Sequence, residues 1–520
     1  MNVYVHVING DFEHEIWELT RVFFPDRPVK VLYHLPVQGA NEGEKAGEKS
    51  DQLGDLLIVG QYSCSDCEII AKSCLKDDSG KVLFESRRSQ KLDESIVKSY
   101  LKRKREIKKV LCQCVYDVLS RLTGKHPYWG ILTGVRPLKV VHHLMDDGLS
   151  DGEVLGVLKS EYYVRDDKAL LLVDTARNQR DIVKSATADT VSLYIHIPFC
   201  TTRCLYCSFP SVVMDGCRGM VDAYIDSLVM ELQRVVSVLL QKGVTVQSLY
   251  IGGGTPTALA YSQLERLLSA VDLLLDGRSI SEYTVECGRP DTLDIDKLTL
   301  LKAFGVNRIS INPQTMNQET LDEIGRRHTV EQVVSRFHMA RYVGFDCINM
   351  DIIVGLPGEG IQHMEKTMEA IAALQPDNLT VHTLAVKRAS RLKESLDRYP
   401  LTSDDTAERM LDVCQRWVER MGLIPYYLYR QKYMVGNLEN VGYTKPGKAC
   451  IYNIQMMGEN QTIWAFGAGA VSKVYFAESD CIQRVPNVKD VKEYMDRLDE
   501  MIGRKMRFID HREGGIEDDL

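Results

Sequence analysis

The sequence predicts an α/β fold, a closed or partial barrel of parallel strands, with an α+β domain before it and a small domain after it. Between residues 190 and 390, strand-like and helical segments alternate about six times, as in parallel sheets with helical crossovers. Polar residues follow several of these strands, which favours a barrel over an open doubly wound sheet. The patterns before residue 185 and after residue 430 differ from this alternation.

Chain length and composition are consistent with several domains. The 520 residues suggest two to four domains, and a hydrophobic content of 44% is enough for a core in each. We predict an α+β N-terminal domain of unknown role over residues 1–185, the barrel over 190–430 and a C-terminal cap over 431–520.

The N-terminal region mixes short strands with one early helix up to about residue 90, and it is helical from there to about residue 184. Residues 41–51 are polar and glycine-rich, which predicts an exposed loop. The basic run over residues 102–109 lies inside a helical pattern. A solvated helix face is therefore favoured over a surface for RNA or a partner.

Several broad classes of protein are disfavoured by composition. The net charge of −8 gives no reason to expect nucleic acid, and no stretch has the apolar length of a membrane span. The N-terminus lacks the features of a signal peptide, so we expect a cytoplasmic protein whose 14 cysteines are reduced thiols or cluster ligands. Cys64 and Cys67 form a CxxC pair. Without a second pair nearby, ordinary thiols of a strand or turn are favoured over a redox or metal site.

The predicted strands of the barrel have clear boundaries. They cover residues 192–197, 246–251, 282–286, 308–312, 347–354 and 378–383. Helices are predicted over residues 220–242, 261–275, 294–304 and 362–374. The C-terminal region has short strands, turns and a late helix over 488–506, and it ends in a frayed acidic tail over 513–520.

Three closely spaced cysteines follow the first barrel strand. Cys200, Cys204 and Cys207 have the spacing C-x3-C-x2-C. Three thiolates can hold three irons of a cubane cluster and leave the fourth iron open to a small molecule. A zinc site usually has four ligands, often in two separated pairs. The spacing therefore favours an iron–sulfur cluster over zinc.

Further polar and glycine residues follow the later strands. The turn Gly252-Gly-Gly-Thr-Pro256 lets the backbone approach a ligand closely. An acidic residue at a strand end can bind ribose hydroxyls, and an arginine can pair with a carboxylate. Each residue alone could equally be a cap or an ion pair, but their shared face favours a site. The candidates are Glu286, Asn312, Gln314, Arg326, His328 and Asp351.

Together these motifs resemble the radical S-adenosylmethionine (SAM) superfamily. Four stretches narrow the resemblance to the oxygen-independent coproporphyrinogen III oxidase (coproporphyrinogen dehydrogenase) family: Tyr194-x-His-Ile-Pro-Phe-Cys200, Ile251-Gly-Gly-Gly-Thr-Pro-Thr257, Gly325-Arg-Arg-His-Thr329 and Asp351-Ile-Ile-Val-Gly-Leu-Pro357. The N-terminal region resembles the branch called HemZ through the segments His126-Pro-Tyr-Trp-Gly-Ile-Leu-Thr-Gly-Val-Arg-Pro137 and Glu161-Tyr-Tyr-Val-Arg-Asp-Asp-Lys168.

The resemblance implies a partial (β/α)6 TIM-like radical SAM barrel and roles for matching residues. The three cysteines would bind a [4Fe–4S] cluster as its metal ligands. Tyr194 and Gly253 would contact S-adenosyl-L-methionine, and Glu286 would bind its sugar. In the best-known members a second adenosylmethionine lies beside the first, so one or two are implied here. The positions matching those that hold the second are Tyr206, Gly254, Thr255, Gln314, Arg326, Asp351 and Ala385.

The implied activity is that of an oxidoreductase in anaerobic heme biosynthesis. Cleavage of adenosylmethionine gives a 5′-deoxyadenosyl radical that abstracts hydrogen from a propionate, and carbon dioxide leaves to form a vinyl group. Coproporphyrinogen III would thus become protoporphyrinogen IX. The implied partners are this tetrapyrrole and a reducing electron donor such as flavodoxin or ferredoxin. One hypothesis is that the basic pair Lys387-Arg388 binds substrate carboxylates. A solvated loop without a binding role is an equally favoured alternative.

The sequence departs from the dehydrogenases of this family at one position. They carry a fourth cysteine two residues after the third, where this chain has Phe209. Heme chaperones share that loss, so a heme-binding chaperone is the main alternative, and a radical SAM enzyme acting on another tetrapyrrole is a further one. The chaperones also share a His-Asn-x-x-Tyr-Trp stretch. This chain instead has Tyr452-Asn-Ile-Gln-Met-Met457 there, which weakens the chaperone hypothesis.

Overall fold

The computed structural model describes residues 2–33, 55–214, 218–432 and 434–510. The chain divides into two compact units, Met1–Val173 and Asp174–Leu520, each described below by itself. The loop predicted over 41–51 and the tail predicted over 513–520 lie outside the described residues.

The first unit contains one five-stranded sheet and several helices. Its strands are β1 (Val3–Val7), β2 (Val29–Val31), β3 (Leu56–Cys64), β4 (Glu68–Lys76) and β5 (Val82–Lys91), and its helices are α1 (Glu13–Phe23), α2 (Glu94–Lys98), α3 (Tyr100–Thr123), α4 (Leu138–Asp146) and α5 (Asp151–Ser160). The strand order is β2-β1-β3-β4-β5. Strand β1 is parallel to both neighbours, and β3, β4 and β5 are antiparallel. Helix α6 (Asp166–Lys184) continues into the second unit.

Helix α3 carries the basic run, and its buried face packs in the core of this unit together with α1. It begins where the side chain of Ser99 accepts a hydrogen bond from the Lys102 amide, and it ends at Gly124, which has a φ of 67°. Lys104 and Lys108 are exposed, whereas Lys109 is buried with its Nζ 2.5 Å from Glu161. The run is thus a helix face whose buried lysine forms ion pairs with Glu106 and Glu161.

The CxxC pair lies at the hairpin between β3 and β4. Cys64 ends β3, Cys67 lies in the turn, and both thiols are exposed. This placement agrees with ordinary strand and turn thiols.

The second unit is built on one eleven-stranded sheet with helices between its strands, and two further short strands form a separate sheet of their own. The strands are β6 (Thr190–Ile197), β7 (Phe199–Cys200), β8 (Val212–Val213), β9 (Thr245–Gly253), β10 (Glu282–Glu286), β11 (Arg308–Ser310), β12 (Ile348–Val354), β13 (Asn378–Thr383), β14 (Ile424–Tyr429), β15 (Asn440–Thr444), β16 (Thr462–Phe466), β17 (Val471–Phe476) and β18 (Cys481–Pro486). The helices are α7 (Arg218–Gln241), α8 (Tyr261–Leu275), α9 (Ile295–Ala303), α10 (Gln318–Glu323), α11 (Val330–Val343), α12 (Ile361–Leu374), α13 (Arg391–Glu394), α14 (Asp404–Arg420), α15 (Ile451–Gly458), α16 (Val491–Asp496) and α17 (Leu498–Asp510).

Six parallel strands lie side by side in chain order: β6, β9, β10, β11, β12 and β13. A doubly wound sheet reverses its strand order at a switch point, and this series does not. The sheet ends at β14 and β18 without closing. The partial (β/α)6 barrel predicted from the sequence is confirmed.

The strands after residue 424 extend the same sheet at both ends. Strands β15 and β14 continue antiparallel beyond β13, while β16 lies parallel to β6 and leads to β17 and β18. The division into three domains, with a boundary near residue 430, stays a prediction.

Two buried polar contacts tie the C-terminal segment to the barrel elements. The ammonium of Lys505 in α17 donates at 2.7 Å to Oε1 of Glu231 in α7, and both side chains are fully buried. At the start of β10, Glu282 accepts hydrogen bonds from the amides of Ile451 and Tyr452 at 2.8 and 3.0 Å. The second contact caps α15 and places the Tyr452 ring 4.4 Å from that of Tyr250.

Among the described helices, none combines the length and apolar composition that a membrane crossing requires.

Candidate functional site

The three-cysteine loop leaves the sheet at the carboxyl end of β6. Strands β7 and β8 pair at its base, from Phe199 with Val212 to Cys200 with Val213. Cys200 and Cys204 are buried and Cys207 is half-buried. The amide of Cys207 donates at 3.2 Å to the carbonyl of Cys204, which closes a turn around the last two thiols.

Segments that follow other strands hold this loop in place. The amide of Leu205 donates at 2.9 Å to the carbonyl of Ile324, and the Leu205 carbonyl accepts from the amide of Leu392 at 2.9 Å. The hydroxyl of Thr202 donates at 3.0 Å to the carbonyl of Gly325. Since these contacts come from both sides, the loop conformation depends on tertiary packing.

The thiols lie close enough to interact electrostatically. Burial raises the pKa of Cys200 and of Cys207, and the neighbouring thiols raise both pKa values further. Within the described residues, no three His, Cys, Asp or Glu side chains form a site for a single metal ion. A cubane cluster needs no such convergence, because each thiolate binds a different iron. Three thiols on one loop are suited to binding three irons of such a cluster.

The glycine turn after β9 lies directly against the cysteine loop. Gly253 has a φ of 110°, and a Cβ atom there would be 2.6 Å from Nδ1 of His196. A Cβ atom on Gly254 would be 2.5 Å from the carbonyl of Phe199 and 3.0 Å from Sγ of Cys200. These positions require glycine for space, and Gly253 also requires it for conformation.

Thr255 continues the turn toward the first thiol. Its amide donates at 2.8 Å to the carbonyl of Phe199, and its hydroxyl oxygen is 3.6 Å from Sγ of Cys200. The predicted residues Gly254 and Thr255 are thus both in contact range of a cysteine.

Glu286 lies at the end of β10 and faces the same turn. Its Oε1 accepts a 2.6 Å hydrogen bond from the Tyr250 hydroxyl, and its Oε2 accepts from the Gly253 amide at 3.3 Å. Burial raises the pKa of Glu286 to about 7, with a further contribution from Asp351. This carboxyl group is suitably placed to accept hydrogen bonds from a polyol.

Tyr194 and His196 lie on β6 beneath the glycine turn. Burial lowers the pKa of His196 to about 4, so its ring is neutral. Nε2 of His196 is 3.4 Å from the carbonyl of Pro210 and therefore carries the hydrogen, and Nδ1 accepts from the Tyr194 hydroxyl at 3.1 Å. The Tyr194 ring also stacks on Tyr452 at 5.9 Å.

Arg326 connects three segments at the strand ends. Its Nη2 donates to the carbonyls of Gly288 and Asn312 at 2.5 and 2.8 Å, and its Nη1 donates to the Tyr206 hydroxyl at 3.3 Å. Tyr206 belongs to the cysteine loop, so this guanidinium links the loop to two neighbouring strand ends. Its buried Nε has no hydrogen-bond partner.

Gln314 and Asp351 meet at the next strand end. Gln314 has a φ of 70°, and its amide donates at 2.9 Å to the carbonyl of Asp351. Its side-chain Oε1 is buried without a partner. The Asp351 carboxylate accepts from Nδ2 of Asn349 at 2.8 Å and lies 3.8 Å from Nε2 of His382.

Comparison with known proteins identifies the family. Residues 194–371 match the family model of the radical SAM superfamily. Over 409 residues the chain is 39% identical to the oxygen-independent coproporphyrinogen-III oxidase-like protein HemZ of Bacillus subtilis (strain 168), a match covering 78% of this chain and 82% of that protein. The chain belongs to the HemZ family of radical SAM proteins.

Other relatives of this HemZ-family chain carry two kinds of name. The heme chaperone HemW of Bacillus subtilis (strain 168) is 31% identical over 312 residues, 59% of this chain and 76% of that protein. Among solved structures, the radical SAM enzyme coproporphyrinogen III oxidase (HemN) from Escherichia coli is 25% identical with a TM-score of 0.48, covering 62% of this chain and 72% of that one.

Membership of the radical SAM superfamily implies a [4Fe–4S] cluster and adenosylmethionine. The site of this HemZ-family chain fits both groups. Three clustered thiols would hold the cluster, and the Gly253 amide and the Glu286 carboxyl group lie beside them as polar groups for a ligand that bears hydroxyl groups.

One basic residue near the cysteine loop extends the sequence prediction. Arg289, which the sequence did not single out, donates at 3.1 Å to Sγ of Cys204. The signal for it was its position three residues after the end of β10. His328, one of the predicted candidates, is fully buried, and burial together with Arg326 and Arg289 lowers its pKa to about 3.

The remaining predicted residues follow β13. Ala385 forms an isolated antiparallel bridge with Met434. Lys387 is partly buried, which lowers its pKa, and Arg388 is exposed. Both basic residues precede α13, whose Leu392 amide contacts the cysteine loop.

Proposed function

We propose that this protein cleaves adenosylmethionine and uses the reaction to decarboxylate the propionate groups of coproporphyrinogen III oxidatively, which yields protoporphyrinogen IX. Each turnover would convert one propionate and one adenosylmethionine into a vinyl group, carbon dioxide, methionine and 5′-deoxyadenosine. Electrons balance between these reactants and products. A reducing donor such as flavodoxin or ferredoxin would therefore be needed only to reduce the cluster at the start of the reaction.

The observation that carries the proposal is the contact between the cysteine loop, the glycine turn and Glu286 at one end of the sheet. A bound cluster with adenosylmethionine supplies one-electron cleavage of a sulfonium. The proposed cluster ligands are Cys200, Cys204 and Cys207. The Gly253 amide and the Glu286 carboxyl group would orient the nucleoside through main-chain and carboxylate contacts.

The same end of the sheet has polar groups that a second adenosylmethionine or the substrate would contact. Arg326 has a buried N–H without an acceptor, and Gln314 has a buried carbonyl oxygen without a donor. Buried polar groups usually find partners, so a bound molecule would complete them. We propose that these two residues, with Tyr206, Asp351 and Ala385, line that part of the site.

The alternative function, heme binding as a chaperone, is favoured by one residue. Phe209 stands at the position of the fourth cysteine and is 65% exposed. Against it, Tyr452 replaces the histidine of the chaperone stretch, and its ring is buried and stacked against Tyr194 and Tyr250. A side chain enclosed in this way is poorly placed to bind heme.

An anaerobic assay tests the two functions against each other. The reconstituted protein is incubated with dithionite, adenosylmethionine and coproporphyrinogen III, and a second sample is incubated with heme. We expect one 5′-deoxyadenosine for each vinyl group formed. Stable heme binding, seen as a Soret band, without turnover would instead establish the chaperone, and deoxyadenosine without a porphyrin product would indicate another substrate.

Two cysteine variants provide the control. Cys204→Ala removes a proposed ligand and should abolish cluster loading and turnover. Cys414→Ala removes an equally buried thiol from α14, so it should keep the iron content of the parent protein. Loss of iron from both variants would contradict the assignment of the loop.

A further inference from the structure

Arg289 places a buried positive charge against one thiol of the cysteine loop. It follows β10 by three residues, and its side chain is 3% exposed. Nη2 donates to Sγ of Cys204 at 3.1 Å and to the carbonyl of Thr202 at 2.6 Å. The guanidinium therefore contacts both a proposed cluster ligand and the backbone between two of them.

This charge has no carboxylate partner within ion-pair distance in the described part of the chain. Its titratable neighbours include Cys204, Cys200 and His328. Arg326 is a further neighbour of His328. His328 is neutral because of its lowered pKa, and Arg326 is also cationic. In addition, Nη1 of Arg289 is buried without an acceptor. A buried cation without a counter-ion is costly, which indicates that a negatively charged group completes the site.

The three thiols differ in their hydrogen-bond donors. Cys200 faces the neutral hydroxyl of Thr255 at 3.6 Å, whereas Cys204 receives a shorter hydrogen bond from a charged donor. Charge-assisted hydrogen bonds are stronger than neutral ones, and buried charges interact more strongly than exposed ones. Arg289 thus donates its charge-assisted hydrogen bond to the central thiol of the loop, while its charge also lowers the pKa of Cys200.

We propose that Arg289 is a positioning residue that orients Cys204 and raises the reduction potential of the cluster bound by the loop. Reduction adds one negative charge to the cluster, and hydrogen bonds to its sulfur ligands are known to set its potential. A buried cation beside a thiolate stabilises the reduced state more than the oxidised state. The proposal rests on cluster binding by the three cysteines, as proposed above, and is independent of the substrate.

The test is an anaerobic redox titration of the reconstituted protein, with the reduced cluster followed by electron paramagnetic resonance. Arg289→Gln keeps a donor but removes the charge. We expect the reduction equilibrium to shift at least about tenfold toward the oxidised cluster, a fall of about 59 mV for one electron. Arg289→Lys keeps the charge and should give a smaller fall with nearly full iron content.

Arg308→Gln is the matched control. Arg308 is also buried and donates to a thiol, Sγ of Cys347 at 2.6 Å, but at the opposite ends of the strands. It should lower the melting temperature and leave the potential unchanged.

Equal potentials in the parent protein and Arg289→Gln would overturn the proposal. If Arg289→Gln holds no iron, the comparison passes to Arg289→Met, which also removes the charge, and a potential equal to that of the parent protein would overturn the proposal too. Failure of the parent protein itself to bind a cluster would instead defeat the proposed function.

Discussion

The hydroxyl of Tyr250 donates a 2.6 Å hydrogen bond to Oε1 of Glu286 and so joins the second and third strands of the barrel at the edge that bears the site. This bond lowers the pKa of Glu286, yet burial outweighs it and the pKa remains at about 7. The carboxyl group therefore changes its charge near neutral pH, unlike an ordinary glutamate.

This raised pKa predicts a particular pH dependence of stability. The folded protein binds the Glu286 proton more tightly than the unfolded chain, whose pKa is near 4.5. The resulting stabilisation is full below about pH 4.5 and is lost as the pH rises through 7. From this group we expect the free energy of unfolding to fall by up to about 3 kcal/mol over that interval. Urea unfolding at several pH values measures it.

Glu286→Gln provides the comparison, because the amide cannot titrate. The variant should lack this part of the decline, so the difference in stability between parent protein and variant should depend on pH. Parallel stability profiles for the two proteins would show that Glu286 titrates normally.

The glycine turn should not tolerate a methyl group. Gly253→Ala combines a φ of 110° with a contact of 2.6 Å to His196, and Gly254→Ala forces a contact of 2.5 Å with the Phe199 carbonyl. We expect each change to cost about 2–4 kcal/mol in the free energy of unfolding and to reduce adenosylmethionine binding. Chemical denaturation and isothermal titration calorimetry measure the two effects.

Gly219→Ala is a suitable control for these variants. It lies in the first turn of α7, where an added Cβ atom meets nothing within 4 Å. Its stability should equal or slightly exceed that of the parent protein. Normal adenosylmethionine binding by Gly254→Ala would mean that the backbone of the turn can shift to accommodate the added methyl group, contrary to this prediction.

The basic pair after β13 should affect the substrate and not the cluster. Lys387→Ala combined with Arg388→Ala removes one partly buried and one exposed charge. If these residues hold propionate groups, KM for the porphyrinogen should rise about 10- to 100-fold, as expected for lost charge-assisted hydrogen bonds. Iron content should not change.

The matched control removes two exposed charges from the neighbouring helix α13. Arg391→Ala with Lys393→Ala should leave KM near its original value. If both double variants behave alike, the basic pair is a solvated loop.

The buried ion pair between Glu231 and Lys505 should make the C-terminal segment unfold together with the barrel. Lys505→Met leaves a buried carboxylate without its cation, which costs about 3–5 kcal/mol. Adding Glu231→Gln should recover part of that loss. Thermal unfolding of the parent protein should show one transition for the second unit, and a separate transition for the C-terminal segment would contradict this.

Much of the barrel could be predicted from the sequence, because strand and helix periods are local properties. The strands ending at Glu286 and starting at Asn378 begin and end where their apolar runs predict. Less predictable was the extension of the sheet by β14–β18. Their short, mixed patterns leave the partner strand undetermined, and long-range pairing alone decides it.

The candidate site likewise has features that the sequence predicts and features that it does not. The cysteine motif and the glycine turn can be predicted from the sequence, since both depend on residues a few positions apart. The contact of Arg289 with Cys204 cannot be predicted in this way, because 85 residues separate the two positions. Nor does any local pattern show that burial raises the pKa of Glu286 to about 7.

By itself, the sequence determined the order of strands and helices and the residue types available at each strand end. Only the tertiary structure decided which of those residues touch. Parallel packing brings the carboxyl ends of six strands to one edge. There, desolvation and nearby charges change the pKa of Glu286, and the Arg289 side chain contacts the thiol of Cys204. Those effects depend on distance in space, which separation along the chain does not encode.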